Sequence, residues 1–141
     1  MIEVINRQRR HKTKPTVWRN FTERALEAVG LHDRSVTIVF VGDAAIRKLN
    51  QQFRGKNYPT DVLSFPTEPE SFESEDESKL GEVVISFERA KAQARENGLS
   101  FTNEVQQLIL HGLLHLCGYD HETDHGEMNR LELKLRKRLG I

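Results

Sequence analysis

The 141-residue chain has a single cysteine, no long hydrophobic run and no net charge, and each absence excludes a class of protein. Cys117 has no partner for a disulfide within the chain, which is typical of an intracellular protein. No stretch approaches the roughly 18 consecutive apolar residues that a membrane-spanning helix needs, so we expect no membrane partner. Residues 1–10 also lack the apolar run of a secretory signal. We therefore expect a cytoplasmic protein.

Charged residues are unevenly distributed along the chain, although 21 basic and 21 acidic side chains cancel. Residues 1–24 contain seven basic and two acidic side chains, whereas residues 67–78 contain six acidic side chains and no basic one. The zero total excludes a uniformly basic nucleic-acid binder and a uniformly acidic tail. The basic segment is either an ordinary solvated face or a surface for a polyanion, and the acidic segment is typical of a mobile surface loop.

Hydrophobic periodicity predicts one α+β domain over residues 1–141, with a small mixed sheet of about four strands and helices packed on it. Apolar runs rich in β-branched residues indicate strands at residues 1–6, 36–41, 62–65 and 82–87. Apolar residues at helical spacing indicate helices at 15–29, from Asp43 as the cap to Phe53, from Ser86 or Glu88 to Gly98, at 102–117 and at 124–139. The fourth helix is apolar around most of its circumference, so we expect it to be largely buried.

Three histidines lie in the segment HGLLHLCGYDH, residues 111–121. His111 and His115 are four residues apart on a predicted helix and therefore project from one face, about 6 Å apart along the axis. This spacing allows both imidazoles to bind one zinc ion at ~2.0–2.1 Å. Gly118 can end the helix in the left-handed conformation and return His121 to the same ion. Three nitrogen ligands without a fourth protein ligand are typical of a catalytic zinc, which keeps one coordination position open.

The residues alone leave other interpretations of these histidines open. They could be core histidines satisfied by hydrogen bonds, or ligands of a purely structural zinc, and His125 could replace His121. The spacing also matches the metzincin peptidases, but Gly112 stands where those enzymes carry the glutamate that acts as general base. A glycine inside a helix costs ~1 kcal/mol relative to alanine, so we expect Gly112 to permit the close approach of another backbone or of substrate.

The same segment resembles the signature of the YbeY family of bacterial endoribonucleases and rRNA maturation factors, H-G-x-L-H-L-x-G-Y-D-H. Further matches follow in order at residues 49–54, at TDVLSFP (60–66) and at GEVVIS (81–86). The resemblance covers residues 35–135 and implies an α+β zincin-like fold with one zinc ion per chain, held on a buried helix. It also implies single-strand-specific RNA cleavage, a role in the 3′-end processing of 16S rRNA and in ribosome quality control, and the small ribosomal subunit as a partner.

Carried over by position, the resemblance implies zinc ligands at His111, His115 and His121. It implies a catalytic role for Arg54, and His111 is the second candidate catalytic residue. Arg54 follows a predicted helix and precedes a Gly-Lys pair, so its loop could present it to a phosphate. Cleavage of a phosphodiester adds negative charge to the non-bridging oxygens, which a Lewis-acidic metal and a guanidinium can both stabilise. Without the resemblance, Arg54 has the pattern of a surface arginine.

Two carboxylates are candidates for orienting the imidazoles. Glu104 lies seven residues before His111 on the same helical face, and Asp120 immediately precedes His121. Either could accept a hydrogen bond from the imidazole N–H that does not face the metal, although most such carboxylates are only solvated or capping. Cys117 is expected to pack beside the site.

Three functions therefore need to be distinguished: a zinc-dependent endoribonuclease, a zinc hydrolase of the peptidase type, and a ribosome-assembly factor whose zinc mainly holds the fold. Phe53, Tyr58 and the basic N-terminal segment are available for binding a single strand, but their spacing forms no known RNA-reading motif. The sequence leaves open the nucleophile (zinc-bound water or the substrate 2′-hydroxyl), the cleavage positions, any protein partner that supplies specificity and the oligomeric state.

Overall fold

The computed structural model describes residues 1–67, 79–120 and 122–141. Residues 68–78, which hold all six acidic side chains of the predicted loop, lie outside the described residues, as does His121. The strands are β1 (Ile2–Asn6), β2 (Ser35–Val41), β3 (Val62–Pro66) and β4 (Lys79–Ser86). The helices are α1 (Pro15–Ala28), α2 (Asp43–Arg54), α3 (Phe87–Asn97), α4 (Phe101–Leu116) and α5 (Glu127–Leu139).

The four strands form one mixed sheet in the order β1-β2-β4-β3. Strands β1, β2 and β4 are parallel, and β3 runs antiparallel to β4 at one edge. All seven residues of β2 are buried, as expected for an apolar strand covered on both faces. The predicted α+β class and the four-stranded mixed sheet are confirmed.

Alternate residues of the central strands enter two hydrophobic clusters on opposite faces of the sheet. The larger cluster contains Ile38 and Phe40 of β2 together with residues of α1, α3, α4 and α5. The smaller cluster contains Val39 and Val41 of β2 with Ile46 of α2. Helix α4 lies in the larger cluster, and nine of its sixteen residues are buried, so the prediction that it is largely buried is confirmed.

Two predicted boundaries around the sheet are wrong. Asp43 is the first residue of α2 rather than its cap, because Gly42 occupies the cap position and the Asp43 carboxylate instead accepts a hydrogen bond from Ser86 Oγ at 2.6 Å. Strand β4 begins at Lys79, before the predicted start at residue 82, and Phe87 already belongs to α3. Pairing of β4 with β2 shifts register next to Ser35, so the early part of the strand is irregular.

Helix α5 begins at Glu127, three residues after the predicted start. Asp124 accounts for the delay, because its carboxylate accepts the backbone N–H groups of Gly126 at 2.9 Å and of Met128 at 2.9 Å. Residues 122–126 therefore form turns between α4 and α5. Among the described residues, the helices are all too short or too polar to cross a membrane.

Candidate active site

The imidazoles of His111 and His115 meet beside the C-terminal half of α4. Their Nε2 atoms are 3.1 Å apart, and the ring planes cross at 76°. Two nitrogen ligands that each lie ~2.0–2.1 Å from one zinc ion are separated by about 3 Å. The predicted projection of both histidines from one helical face is confirmed, and their spacing fits two ligand atoms of a single ion.

Glu132 of α5 contacts Nδ1 of His111, the ring nitrogen that does not face His115. Both carboxylate oxygens lie 3.1 Å from His111 Nδ1, and Arg136 Nη2 donates to Glu132 Oε1 at 3.1 Å. Glu132 is only 6% exposed. Burial alone would raise its pKa, but the hydrogen bonds and charges of His111 and Arg136 outweigh burial and hold the pKa of Glu132 below its usual range.

The contact with Glu132 favours the tautomer of His111 in which Nε2 is available to a metal. In the neutral ring, an Nδ1–H that donates to Glu132 leaves Nε2 unprotonated, with its lone pair toward His115. A carboxylate on the distal nitrogen is the usual support of a zinc-binding histidine. His111, His115 and Glu132 therefore fit a zinc site with an outer carboxylate.

The third predicted ligand, His121, lies outside the described residues. Within residues 1–67, 79–120 and 122–141, no group of three His, Cys, Asp or Glu side chains forms a complete metal site. His125 is exposed in the turn before α5, where its backbone N–H donates to Glu127 Oε2 at 2.6 Å. The identity of the third ligand stays a prediction.

A cleft of about 440 Å³ opens in front of the two imidazoles. Edge strand β3 forms one wall, and residues 118–120 and Glu122, which follow α4, form another. Arg54 also lines the cleft, because α2 ends there with Gly55 in the left-handed conformation at φ 69°. The fold therefore brings Arg54 to the same cleft as His111 and His115.

The two carboxylates singled out from the sequence occupy different places. Asp120 lines the cleft, and its Oδ1 accepts the backbone N–H of Glu122 at 3.0 Å. Glu104 is buried in α4 and accepts a hydrogen bond from Asn97 Nδ2 at 3.4 Å. Glu132, which the sequence analysis missed, is the carboxylate with a described contact to His111 Nδ1.

Cys117, the C-cap of α4, is partly buried at the end of the helix, consistent with the expected packing role. Burial raises the pKa of its thiol, against the lowering effect of the nearby Arg34. The thiol is therefore held in its neutral form, which neither attacks nor binds metal readily.

Gly112 lies where α4 packs against strands β3 and β4 of the sheet. A Cβ atom at this position would lie 2.6 and 3.0 Å from the two methyl carbons of Val83 and 3.2 Å from Ser64 Oγ. Gly112 does permit a close approach, but the group predicted was wrong: the Val83 side chain lies there rather than another backbone or substrate. A glutamate here, as in the metzincins, would first have to displace the fully buried Val83.

Gly112→Ala is therefore expected to destabilise the fold. Overpacking costs ~1–3 kcal/mol, while the better helix propensity of alanine returns at most ~1 kcal/mol. Denaturant unfolding measures the difference. Adding Val83→Ala makes room for the new methyl group, so the two substitutions should couple favourably in a double-mutant cycle. A Gly112→Ala variant at least as stable as the natural protein would contradict this view of the contact.

Comparison with known proteins identifies the family. The family model described as Endoribonuclease YbeY matches residues 3–140. A relative named Endoribonuclease YbeY from Geobacter metallireducens is 38% identical over 141 residues, covering 99% of this chain and 94% of the relative. A relative of the same name from Nautilia profundicola is 46% identical over 111 residues, covering 79% of this chain and 76% of the relative. A protein from Thermotoga maritima, solved in solution, superposes with a TM-score of 0.65 at 31% identity, covering 99% of this chain and 89% of that one. The chain belongs to the YbeY family.

Proposed function

We propose that this protein is a zinc-dependent endoribonuclease that cleaves single-stranded RNA during maturation of the small-subunit 16S rRNA. One observation carries the proposal: two imidazoles with Nε2 atoms 3.1 Å apart share a cleft with Arg54. Membership of a family described as endoribonucleases supports RNA as the substrate class. The ribosome as partner, a part in ribosome quality control and a cytoplasmic location belong to the same proposal.

His111, His115 and His121 would hold the zinc, His121 being included for its place in the motif. When bound, zinc supplies a Lewis acid that stabilises negative charge on a phosphoryl oxygen. Glu132 supports this arrangement through His111, because accepting the Nδ1–H keeps Nε2 unprotonated and directed toward His115. The Arg136 guanidinium keeps the Glu132 carboxylate ionised and in place.

The guanidinium of Arg54 is the protein's own positive charge for stabilising the phosphodiester during cleavage. It can donate two parallel N–H bonds to the non-bridging oxygens, which gain negative charge as the bond to the attacking oxygen forms. The abrupt end of α2 at Gly55 places this side chain on the cleft wall.

The ends of the products identify the nucleophile. A 2′,3′-cyclic phosphate would show attack by the substrate 2′-hydroxyl, whereas a 5′-phosphate with a 3′-hydroxyl would show attack by water. We expect cleavage of a short single-stranded RNA and little cleavage of the same strand in a duplex. We expect no degradation of an unfolded protein, because Gly112 provides no carboxylate to act as general base. Degradation of the protein with intact RNA would favour the peptidase interpretation.

Glu132→Gln is expected to weaken zinc binding by about 10–100-fold. The amide is neutral and can present only one oxygen to His111 Nδ1, so it neither stabilises nor orients the ring as the carboxylate does. Competition with a chromogenic chelator measures the affinity. Glu96→Gln, at an exposed position of α3, is the matched control and should bind zinc like the natural protein. Equal zinc affinity of the Glu132→Gln variant would remove Glu132 from the site.

A further inference from the structure

The aromatic side chains that are exposed among the described residues lie in or next to segments that line the cleft. Phe53 (58% exposed), Tyr58 (53%) and Tyr119 (37%) are the exposed Phe, Tyr or Trp residues in residues 1–67, 79–120 and 122–141. Phe53 immediately precedes Arg54, Tyr58 lies in the loop that leads to Thr60 of the cleft wall, and Tyr119 itself lines the cleft. We call these three residues the aromatic rim. Single exposed apolar residues are ordinary, but three exposed rings on segments that border one cleft favour a binding surface there.

Each residue of the aromatic rim is anchored to a rigid element. The Phe53 ring packs edge-on against Phe65 of β3, with centroids 5.1 Å apart. The buried side chain of Asn50 donates from Nδ2 to the Tyr58 carbonyl at 2.8 Å, which fixes the loop after α2. The Tyr119 N–H donates to a carbonyl in the last turn of α4 at 3.1 Å. Because these contacts hold the ring of Phe53 and the backbones of Tyr58 and Tyr119, ligand binding has little backbone left to order.

The segment that carries Phe53 and Tyr58 is cationic, which favours a polyanion on this side of the cleft. Residues 47–58 carry four basic side chains and no acidic one: Arg47, Lys48, Arg54 and Lys56. The cleft also holds three carboxylates, those of Asp61, Asp120 and Glu122. Asp61 and Asp120 each accept a backbone N–H at Oδ1, at 2.8 and 3.0 Å respectively, so the phosphates of a bound strand belong on the cationic side formed by residues 47–58. Exposed rings next to cations are the arrangement with which proteins bind single-stranded nucleic acid, bases on the rings and phosphates on the cations.

We infer that Phe53, Tyr58 and Tyr119 form a stacking surface for the bases of single-stranded RNA, with Lys56 and Arg54 against its phosphates. The inference rests on the proposed nuclease function and adds the feature that selects single strands. Bases within a duplex are stacked on one another and cannot reach the rings, whereas unpaired bases can. Stacking is tolerant of sequence, so this surface selects strandedness rather than a particular base.

The test compares two probes on the zinc-loaded protein: a labelled single-stranded RNA, and a strand of equal length with the same backbone but without bases. Affinity is read from fluorescence anisotropy in stopped flow, before cleavage. Phe53→Leu keeps the apolar contact with Phe65 and removes the ring, and Tyr58→Ala removes the second ring from a solvent-exposed position. Each is expected to weaken RNA binding about tenfold and to leave binding of the abasic strand unchanged.

Two controls complete the comparison. Leu133→Ala, at an apolar position of α5 that is 53% exposed, should bind both probes like the natural protein. Lys56→Ala should weaken both probes equally, because it acts on the phosphates. In cleavage assays the ring variants should raise KM about tenfold at nearly constant kcat.

Wild-type RNA affinity in both ring variants, or an equal loss on the abasic strand, would overturn the stacking surface while leaving the nuclease proposal intact. Tight binding of an unfolded polypeptide that competes with RNA and weakens in the ring variants would assign the surface to a protein instead. A zinc-loaded protein that neither binds nor cleaves single-stranded RNA would overturn the proposed function itself.

Discussion

Arg54→Ala is expected to lower kcat for cleavage of single-stranded RNA by about 10²–10³-fold, the size of effect seen when one donor to a developing negative charge is removed. Zinc content and the free energy of unfolding should not change, because the Arg54 side chain is exposed at the end of α2 and is not one of the proposed zinc ligands. Steady-state kinetics, elemental analysis and thermal unfolding of the same preparation measure the three quantities.

Two further variants sharpen this result. Arg54→Lys keeps the charge but cannot donate two parallel N–H bonds, so it should recover only part of the lost activity. Lys91→Ala removes an exposed charge from α3, outside the cleft, and should retain kcat. Normal cleavage by Arg54→Ala would exclude Arg54 from the reaction and favour the alternative of an assembly factor whose zinc holds the fold.

His115→Ala is expected to abolish both zinc binding and RNA cleavage. Removing one of three nitrogen ligands leaves two, too few to retain a zinc ion through gel filtration, so zinc should fall from about one per chain to near zero. Elemental analysis after gel filtration measures this directly. His32→Ala, at an exposed position outside the cleft, is the control. Stoichiometric zinc in His115→Ala would contradict the proposed ligand set.

His115 is a cleaner position for this test than His111. Removing the His111 ring leaves the buried Glu132 carboxylate without one of its two described partners, and such a loss costs about 1–3 kcal/mol of stability. His111→Ala should therefore lose zinc and also unfold at a lower temperature in the absence of zinc. His115→Ala should lose zinc with a smaller change in the stability of the metal-free protein.

The parts of the site that depend on local structure were predictable from the sequence. The spacing of His111 and His115 needs only a regular helix, and the apolar pattern of residues 102–117 predicts that helix. The all-buried strand β2 likewise follows from its apolar, β-branched run. Arg54 was identified only through the family resemblance, because the residues near position 54 do not indicate that the end of α2 will line the same cleft as His111 and His115 of α4.

Glu132 was not predicted because it lies 21 residues from His111 on another helix. One signal was present: Glu132 stands four residues after Met128 and three before Leu135, so it falls on the apolar face of α5. A carboxylate at such a position must find a buried partner. Its partner could not be identified without the packing of α5 on α4.

The start of β4 was not predicted because it also depends on tertiary contacts. Lys79 and Gly81 have poor strand propensity, and pairing with β2 holds them in the strand.

The most direct test of the account is cleavage of a single-stranded RNA by one preparation of the protein with its zinc in place, removed by a chelator and then restored. We predict about one zinc per chain, loss of cleavage on removal, and recovery on addition of zinc in equal molar amount. Undiminished cleavage by the zinc-free protein would contradict the claim that the imidazoles of α4 bind the ion on which RNA cleavage depends.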